Sequence, residues 1–372
     1  MADWLDSIGQ TLEALGRGVT WLQAGDAEVL VTHHAARVLA ARLDGSENLF
    51  YHDPALEAVD TAADAGITGG DRLWIAPEVA YYWPSLDLAR EDPGKHAKTP
   101  AHVDPGTYGV VDVSDRHVVL ACEAELTDSR SERTIRFSMF REVRVCDPPA
   151  VLPDGVACGS FAITNTLSLD GDASDPRALA GAWDILQLPT GGTLICPTVR
   201  PLTPDPSGDD ASNDGVRSYY DPFGDHHVQA DDHAVRFLID GQRRTKMGIR
   251  AEDTTGRMGY FRRLDDGSAT LVFRGFPTLP GEPYVDVPRY EKKDTRTGGD
   301  CLQAYNDDGS NGSAARDGWT FGEMEYHDPA LIAGESPGSR SGTCVTHLLR
   351  GDAEAVKATG EMLLGVAIEP IT

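Results

Sequence analysis

Residues 317–329 combine side chains that could move protons. Alternation of period two sets Trp319, Phe321, Glu323, Glu325 and His327 on one side of a predicted strand, and Thr320, Gly322, Met324 and Tyr326 on the other. Two carboxylates and an imidazole then share one face. An acidic strand face ordinarily meets water, but Trp319 and Phe321 on the same side argue for a shallow groove. A groove that takes a polar, ring-shaped ligand needs both kinds of side chain. Asp328-Pro329 closes the segment, because proline lacks the donor that a continuing ladder requires.

Such a strand needs neighbours, and the chain supplies them. Short strand patterns recur at 28–32, 36–42, 108–113, 117–122, 134–140, 161–167, 234–239, 256–261 and 269–274. Turn chemistry separates them at Asp44-Gly45, Asp240-Gly241 and Asp265-Asp266-Gly267. Helical signals nearly vanish after Gly18, so a sandwich or barrel is expected and a doubly wound nucleotide fold is not. Before Gly18, Trp4, Leu5, Ile8, Leu12 and Leu15 recur at helical spacing, with Asp3 as an N-cap and Gly16 and Gly18 as stops. The polar face of that helix offers Asp6, Gln10 and Glu13 where an anionic membrane would want Lys or Arg, which favours packing on the body. The expected organisation is an amphipathic helix over 1–18 and one β domain over 19–372. Residues 201–214, rich in Pro, Asp, Ser and Gly, are expected to form a long surface loop.

Composition narrows the partners. The 372 residues carry 59 acidic against 33 basic side chains, a formal net charge of -26. A polyanion such as nucleic acid would need clustered Lys and Arg, and no basic run exists. The acids are scattered, as on a surface adapted to molar salt, where the screening length falls to about 3 Å and like charges repel little. Met1-Ala2-Asp3-Trp4 has neither the basic nor the apolar part of a secretory signal, and no apolar run nears the ~20 residues of a membrane span. A high-salt cytoplasm is the expected location. Cys122, Cys146, Cys158, Cys196, Cys301 and Cys344 form no C-x-x-C pair, which leaves neither a zinc knuckle nor a dithiol motif.

Several chemistries drop out. The chain has no G-x-G-x-x-G, no G-x-x-x-x-G-K-[ST] and no H-E-x-x-H. The loop opening at Asp170 lacks the Gly and Glu of a calcium loop, with Asp175 and Gly181 in those places. His226, His227 and His233 could ligate a metal in a jelly-roll enzyme, but adjacent histidines on a strand point to opposite faces.

What remains is an ordered set of segments. Residues 33–39, followed by Asp44-Gly45 and Asn48-Leu49-Phe50, resemble the opening strands of galactose mutarotase-like proteins. Gly69-Gly70 and Trp74-Ile75-Ala76-Pro77-Glu78 look like the Gly-Gly and Trp-x-x-Pro-Glu segment of their less characterised sugar-binding relatives. Residues 181–188, with Trp183-Asp184 inside them, resemble the central strand of the same groove, and 321–329 the strand carrying the family's general base. The resemblance implies an all-β fold, a large antiparallel β-supersandwich with a small-molecule carbohydrate on its concave face. With the charge, hydropathy and motif spacing above, the expectation is no cofactor, no metal, and neither nucleic acid nor membrane as partner.

Opening an aldose ring needs a base for the anomeric hydroxyl proton and an acid for the ring oxygen. By the resemblance Glu325 is the base, with Glu323 second. Aldose epimerases carry their acid on a central-strand histidine, where this chain has Trp183-Asp184. His102 or His327 is left to supply the proton, or the chemistry is lost and only binding remains. Arg72 could fork onto vicinal hydroxyls or a carboxylate, and Trp74 could face a pyranose ring. Glu78 could end a strand at the groove rim. Lys246 stands out because lysine otherwise occurs only at 95, 98, 292, 293 and 357. Tyr305 and Asp184 complete the candidate sugar contacts.

Overall fold

A computed structural model describes residues 4–371, except 44–45, 54–55, 57–68, 84–96, 205–214, 221–222, 225, 288–297, 311–319 and 337. Trp319, the Asp44-Gly45 turn and most of the 201–214 segment therefore lie outside the described residues. The rest forms two large sheets. In the first, Val19–Ala24, Ala27–Thr32, Arg37–Leu43, Asp71–Ala76, Leu179–Leu188, Gly322–His327, Leu302–Asn306, Thr245–Ile249, Gly215–Ser218 and Thr203–Pro204 lie side by side in that order, and Leu331–Ile332 also pairs with Leu179–Leu188. In the second the order is Val228–Ala230, Ala234–Ile239, Gly192–Pro197, Arg257–Arg263, Ser268–Gly275, Ser339–Asp352, Val156–Leu169, Thr134–Val145, His117–Thr127 and Gly109–Val113. Every pairing is antiparallel except that of Thr203–Pro204 with Gly215–Ser218. The fold is all-β, as the recurrent strand patterns require.

The sheets close on an apolar core. Leu186, Leu188, Met324, Tyr326, Ala304 and Met247 from the first sheet meet Val143, Phe161, Ile163, Val272 and Leu348 from the second. Each large apolar side chain removed from water contributes about 1.5–3 kcal/mol before ordering entropy is subtracted. One polar cluster interrupts this interior. Asp71 and Asp184, from neighbouring strands of the first sheet, receive Arg141 and Arg274 from the second: Arg141 bonds Asp184 at 2.8 Å and also Asp71, and Arg274 reaches Asp184 at 2.5 Å and Asp71 at 2.9 Å. Asn165 adds its amide to Asp184 at 2.8 Å. Burial opposes the Asp184 charge, but Arg274 and Arg141 outweigh it and hold the carboxyl below its usual range.

Helices frame the sheets. Trp4–Ala14 buries Leu5, Ile8 and Leu12 against Leu30, Leu39, Ala40 and Leu56, the packing expected of its amphipathic pattern. A second long helix, Ala353–Leu364, lies in the part of the chain where helical signals are expected nearly to vanish. Its signals are plain once seen: Asp352 caps the amides of Glu354 and Ala355, and Gly365 ends it at φ 77°. Val356 and Leu364 pack on Phe261 and Leu271 of the second sheet. No helix among the described residues is long and apolar enough to cross a membrane.

Candidate active site

Strand parity builds the site. Because Met324 and Tyr326 fill the core, Glu323, Glu325 and His327 face the other side of the first sheet. Register then sets Trp183 beside both His327 and Trp74, Ile185 beside Glu325 and Arg72, and Gln187 beside Glu323. On the opposite flank Gln303 lies beside Glu325, Tyr305 beside Glu323, and Lys246 beside Tyr305. Gly69 and Gly70, at φ 110° and 64°, turn the chain into the strand that carries Arg72 and Trp74; only glycine takes both values without strain. Glu78 opens the short helix Glu78–Tyr81, and its backbone N–H donates to Asp286 Oδ1 at 2.8 Å.

This face is buried. Glu325 is fully enclosed, and Glu323, His327, Lys246 and Arg72 are nearly so. Glu325 Oε2 accepts from Trp183 Nε1 at 2.8 Å and from Lys246 Nζ at 3.0 Å, while its Oε1 has no partner. Burial pushes Glu325 up to about 7, with Lys246 pulling the other way. Glu323 is committed differently: its Oε1 accepts from Arg72 at 2.8 Å and from Gln187 at 3.0 Å. Lys246 also lies 3.7 Å from Glu78 Oε2 and 4.6 Å above the Trp183 ring. Its carboxylate neighbours hold it charged against burial. His327 stacks on Trp183 with centroids 5.3 Å apart, and neither ring nitrogen has a partner. Burial keeps that imidazole neutral, with its pKa lowered to about 4.

Arg72, Trp74, Glu78, Lys246, Tyr305, Glu323, Glu325 and His327 thus come together. Asp184 does not. It sits on the core side of the central strand, consumed by two arginines, so it cannot touch a ligand on the polar face. Trp74 is engaged by its own neighbours: Arg72 lies 4.4 Å over its ring, Tyr82 stacks at 4.8 Å, and its indole N–H donates to Asp104 at 2.8 Å. It forms part of the wall and offers no open platform. Tyr305 donates its hydroxyl to Asp307 at 2.6 Å.

Of the two histidines expected to supply the proton, His102 is exposed and bound to the Glu125 carbonyl beside the second sheet, and His327 lies on this face. His226 and His233 are exposed and His227 pairs with Asp240 at 3.4 Å; among the described residues no three metal-capable side chains converge.

Gln187, Gln303 and the Trp183 indole escaped the sequence reading. Gln187 shares its strand with Asp184 and Gln303 shares its strand with Asn306, and each glutamine has a buried Oε1 that has no partner. The strand register, which sets Trp183, Gln187 and Gln303 beside His327, Glu323 and Glu325, is what brings them to this face.

An all-β sandwich with a buried acid–base face on one sheet describes the kind of protein this is. Proteins of similar overall structure include a proposed aldose 1-epimerase from Escherichia coli, 11% identical, covering 90% of this chain and 99% of that one with a TM-score of 0.49. A galactose 1-epimerase from Lactobacillus acidophilus is 9% identical, with 88% and 93% covered and a TM-score of 0.45. A GalM/aldose epimerase homologue from C. elegans is 9% identical, with 89% and 99% covered and a TM-score of 0.44. No curated protein matches the sequence. The chain belongs to DUF6786, a family of unknown function, which matches it over residues 10–372.

Proposed function

We propose that the polar face of the first sheet binds a carbohydrate and exchanges the anomers of an aldose, with Glu325 as general base. The observation that carries this reading is the gathering of unpartnered buried polar atoms on one face. Arg72 Nε, Gln187 Oε1, Gln303 Oε1, Glu325 Oε1 and both His327 ring nitrogens all lack partners there. Leaving such groups unsatisfied costs roughly 1–3 kcal/mol each, so a ligand rich in hydroxyls that meets them is strongly favoured. A sugar ring, with donors and acceptors around its rim, has that chemistry.

Glu325 suits the base role better than Glu323. Its Oε2 is anchored by Lys246 and Trp183 and its Oε1 is free to take a proton, whereas Glu323 is neutralised by Arg72. A carboxyl raised to about 7 is poised to accept and return a proton at neutral pH. Neutral His327 would orient hydroxyls by hydrogen bonding. The runner-up is a binder without catalysis, favoured by an aromatic residue, Trp183, standing where aldose epimerases carry a histidine. Polarimetry on freshly dissolved α-D-glucose, α-D-galactose and their 6-phosphates separates the two. The wild type should accelerate anomer exchange for at least one sugar, and Glu325→Gln should lower kcat by about 10²–10⁴-fold. No acceleration over buffer on any of them would leave only binding.

A further inference from the structure

We propose that Glu78 is the second catalytic residue of this site, the acid that protonates the ring oxygen while Glu325 takes the anomeric proton. The inference rests on the reading of the site as an aldose-exchanging one. Its ground is a three-membered arrangement in which one lysine serves two carboxylates. Lys246 Nζ lies 3.0 Å from Glu325 Oε2 and 3.7 Å from Glu78 Oε2. The Glu325 side chain is fully buried, whereas the Glu78 side chain retains 17% of its exposure and is the more accessible of the two carboxyls. Asp286 holds the Glu78 backbone amide at the start of the short helix.

One buried cation favours one negative charge on the pair. With Glu325 ionised and Glu78 protonated, the three groups sum to zero. Glu325 removes the O1 proton, the O1 electrons form the C1 carbonyl, the bond from C1 to the ring oxygen breaks, and that oxygen takes the Glu78 proton. The sum is still zero, with the charge now on Glu78 and Lys246 still within reach of it. After rotation about the bond between C1 and C2, the hydroxyl closes on the other carbonyl face. Its proton returns to Glu78 and O1 recovers one from Glu325, so both groups end as they began. No co-reactant is consumed.

Proton affinities agree with the geometry. Burial pushes both carboxyls up to about 7, so one proton shared between them is the populated state near neutrality. His327, lowered to about 4, is almost never a cation there and is a poor source of that proton. The charged and titratable groups facing Glu78 are Lys246, Arg244, Asp286, Glu323, Glu325 and Tyr220, with Tyr82 on its own segment.

The test is the pH profile of kcat/KM by polarimetry for wild type, Glu78→Gln and Glu78→Asp, on whichever of the four sugars named above the wild type accelerates. Circular dichroism and sugar-induced quenching of tryptophan fluorescence serve as checks of folding and binding. The wild type should give a bell, its acid limb set by a base that must ionise and its alkaline limb by an acid that must keep its proton. Glu78→Gln should bind sugar within a few-fold of wild type, lose about 10²-fold or more in kcat, and lose the alkaline limb while keeping the acid one. Glu78→Asp, which keeps a carboxyl, should retain the bell with its alkaline limb displaced. An active wild type whose Glu78→Gln variant keeps its kcat within about three-fold, or keeps the alkaline limb, would overturn the role of Glu78 alone. A wild type inactive on every sugar would overturn the reading of the site, and Glu78 with it.

Discussion

Replacing Lys246 by Met should destabilise the protein in a way that depends on pH, and the size follows from the site. At 3.0 Å from Glu325, Lys246 contributes about 5–6 kcal/mol of attraction at an effective dielectric of about 20. That exceeds what a carboxyl spends by keeping its proton near neutral pH, so in Lys246→Met the carboxyls stay neutral instead of standing charged and unpaired. In the wild type, Glu325 and Glu78 have folded-state pKa values of about 7, above the roughly 4.3 of an unfolded chain. Groups raised in this way stabilise the fold fully below the unfolded value. That contribution is lost as pH rises toward the folded one, and the loss stops once the folded carboxyls also ionise. Without the lysine the loss continues above 7, at about 1.4 kcal/mol per pH unit for each carboxyl. The destabilisation should therefore grow from a small, constant packing effect near pH 6 to about 3 kcal/mol more than that near pH 8. Urea unfolding of both proteins across this range measures it. A difference in stability that stays flat from about pH 6 to about pH 9 would refute the account of Lys246 as the shared counter-ion of two carboxyls.

Two further outcomes are expected. Asp184→Asn should cost about 3–5 kcal/mol in urea unfolding by leaving buried arginines undercompensated, yet leave sugar-induced fluorescence quenching unchanged, because Asp184 faces away from the site. With a net charge of -26, the protein should also gain thermal stability between about 0.1 M and about 2 M KCl as self-repulsion is screened; a flat midpoint would remove the proposal of salt adaptation.

The legible parts of this chain are those where polarity alternates. The strand patterns at 117–122 and 134–140 fall within His117–Thr127 and Thr134–Val145, whose outward residues are mostly polar and show the period. The late strand gave its face correctly for the same reason, with Met324 and Tyr326 between Glu323, Glu325 and His327. The central strand Leu179–Leu188 is buried at every position, so no period marks which side is which, and polarity alone picked Asp184 in place of Trp183. Its partners Arg141 and Arg274 come from the other sheet, and nothing local announces them. Helix Ala353–Leu364 was overlooked for a different reason: its cap and terminal glycine are ordinary signals that a chain crowded with strand patterns overshadowed.

The ionic lattice between the sheets bears on how the polar face of the first sheet could change its side chains. A strand buried on both faces shows no polarity period, and a one-residue slip in Leu179–Leu188 would turn every side chain to the other face and swap the indole beneath Glu325 for a carboxylate. Asp184, clasped from the facing sheet, makes that slip leave two buried guanidinium groups to share Asp71 alone of the two carboxylates. Alignment is thus guaranteed from behind. Side chains on the front can then be exchanged one by one, as tiles are replaced on a wall whose mortar lies on the hidden side.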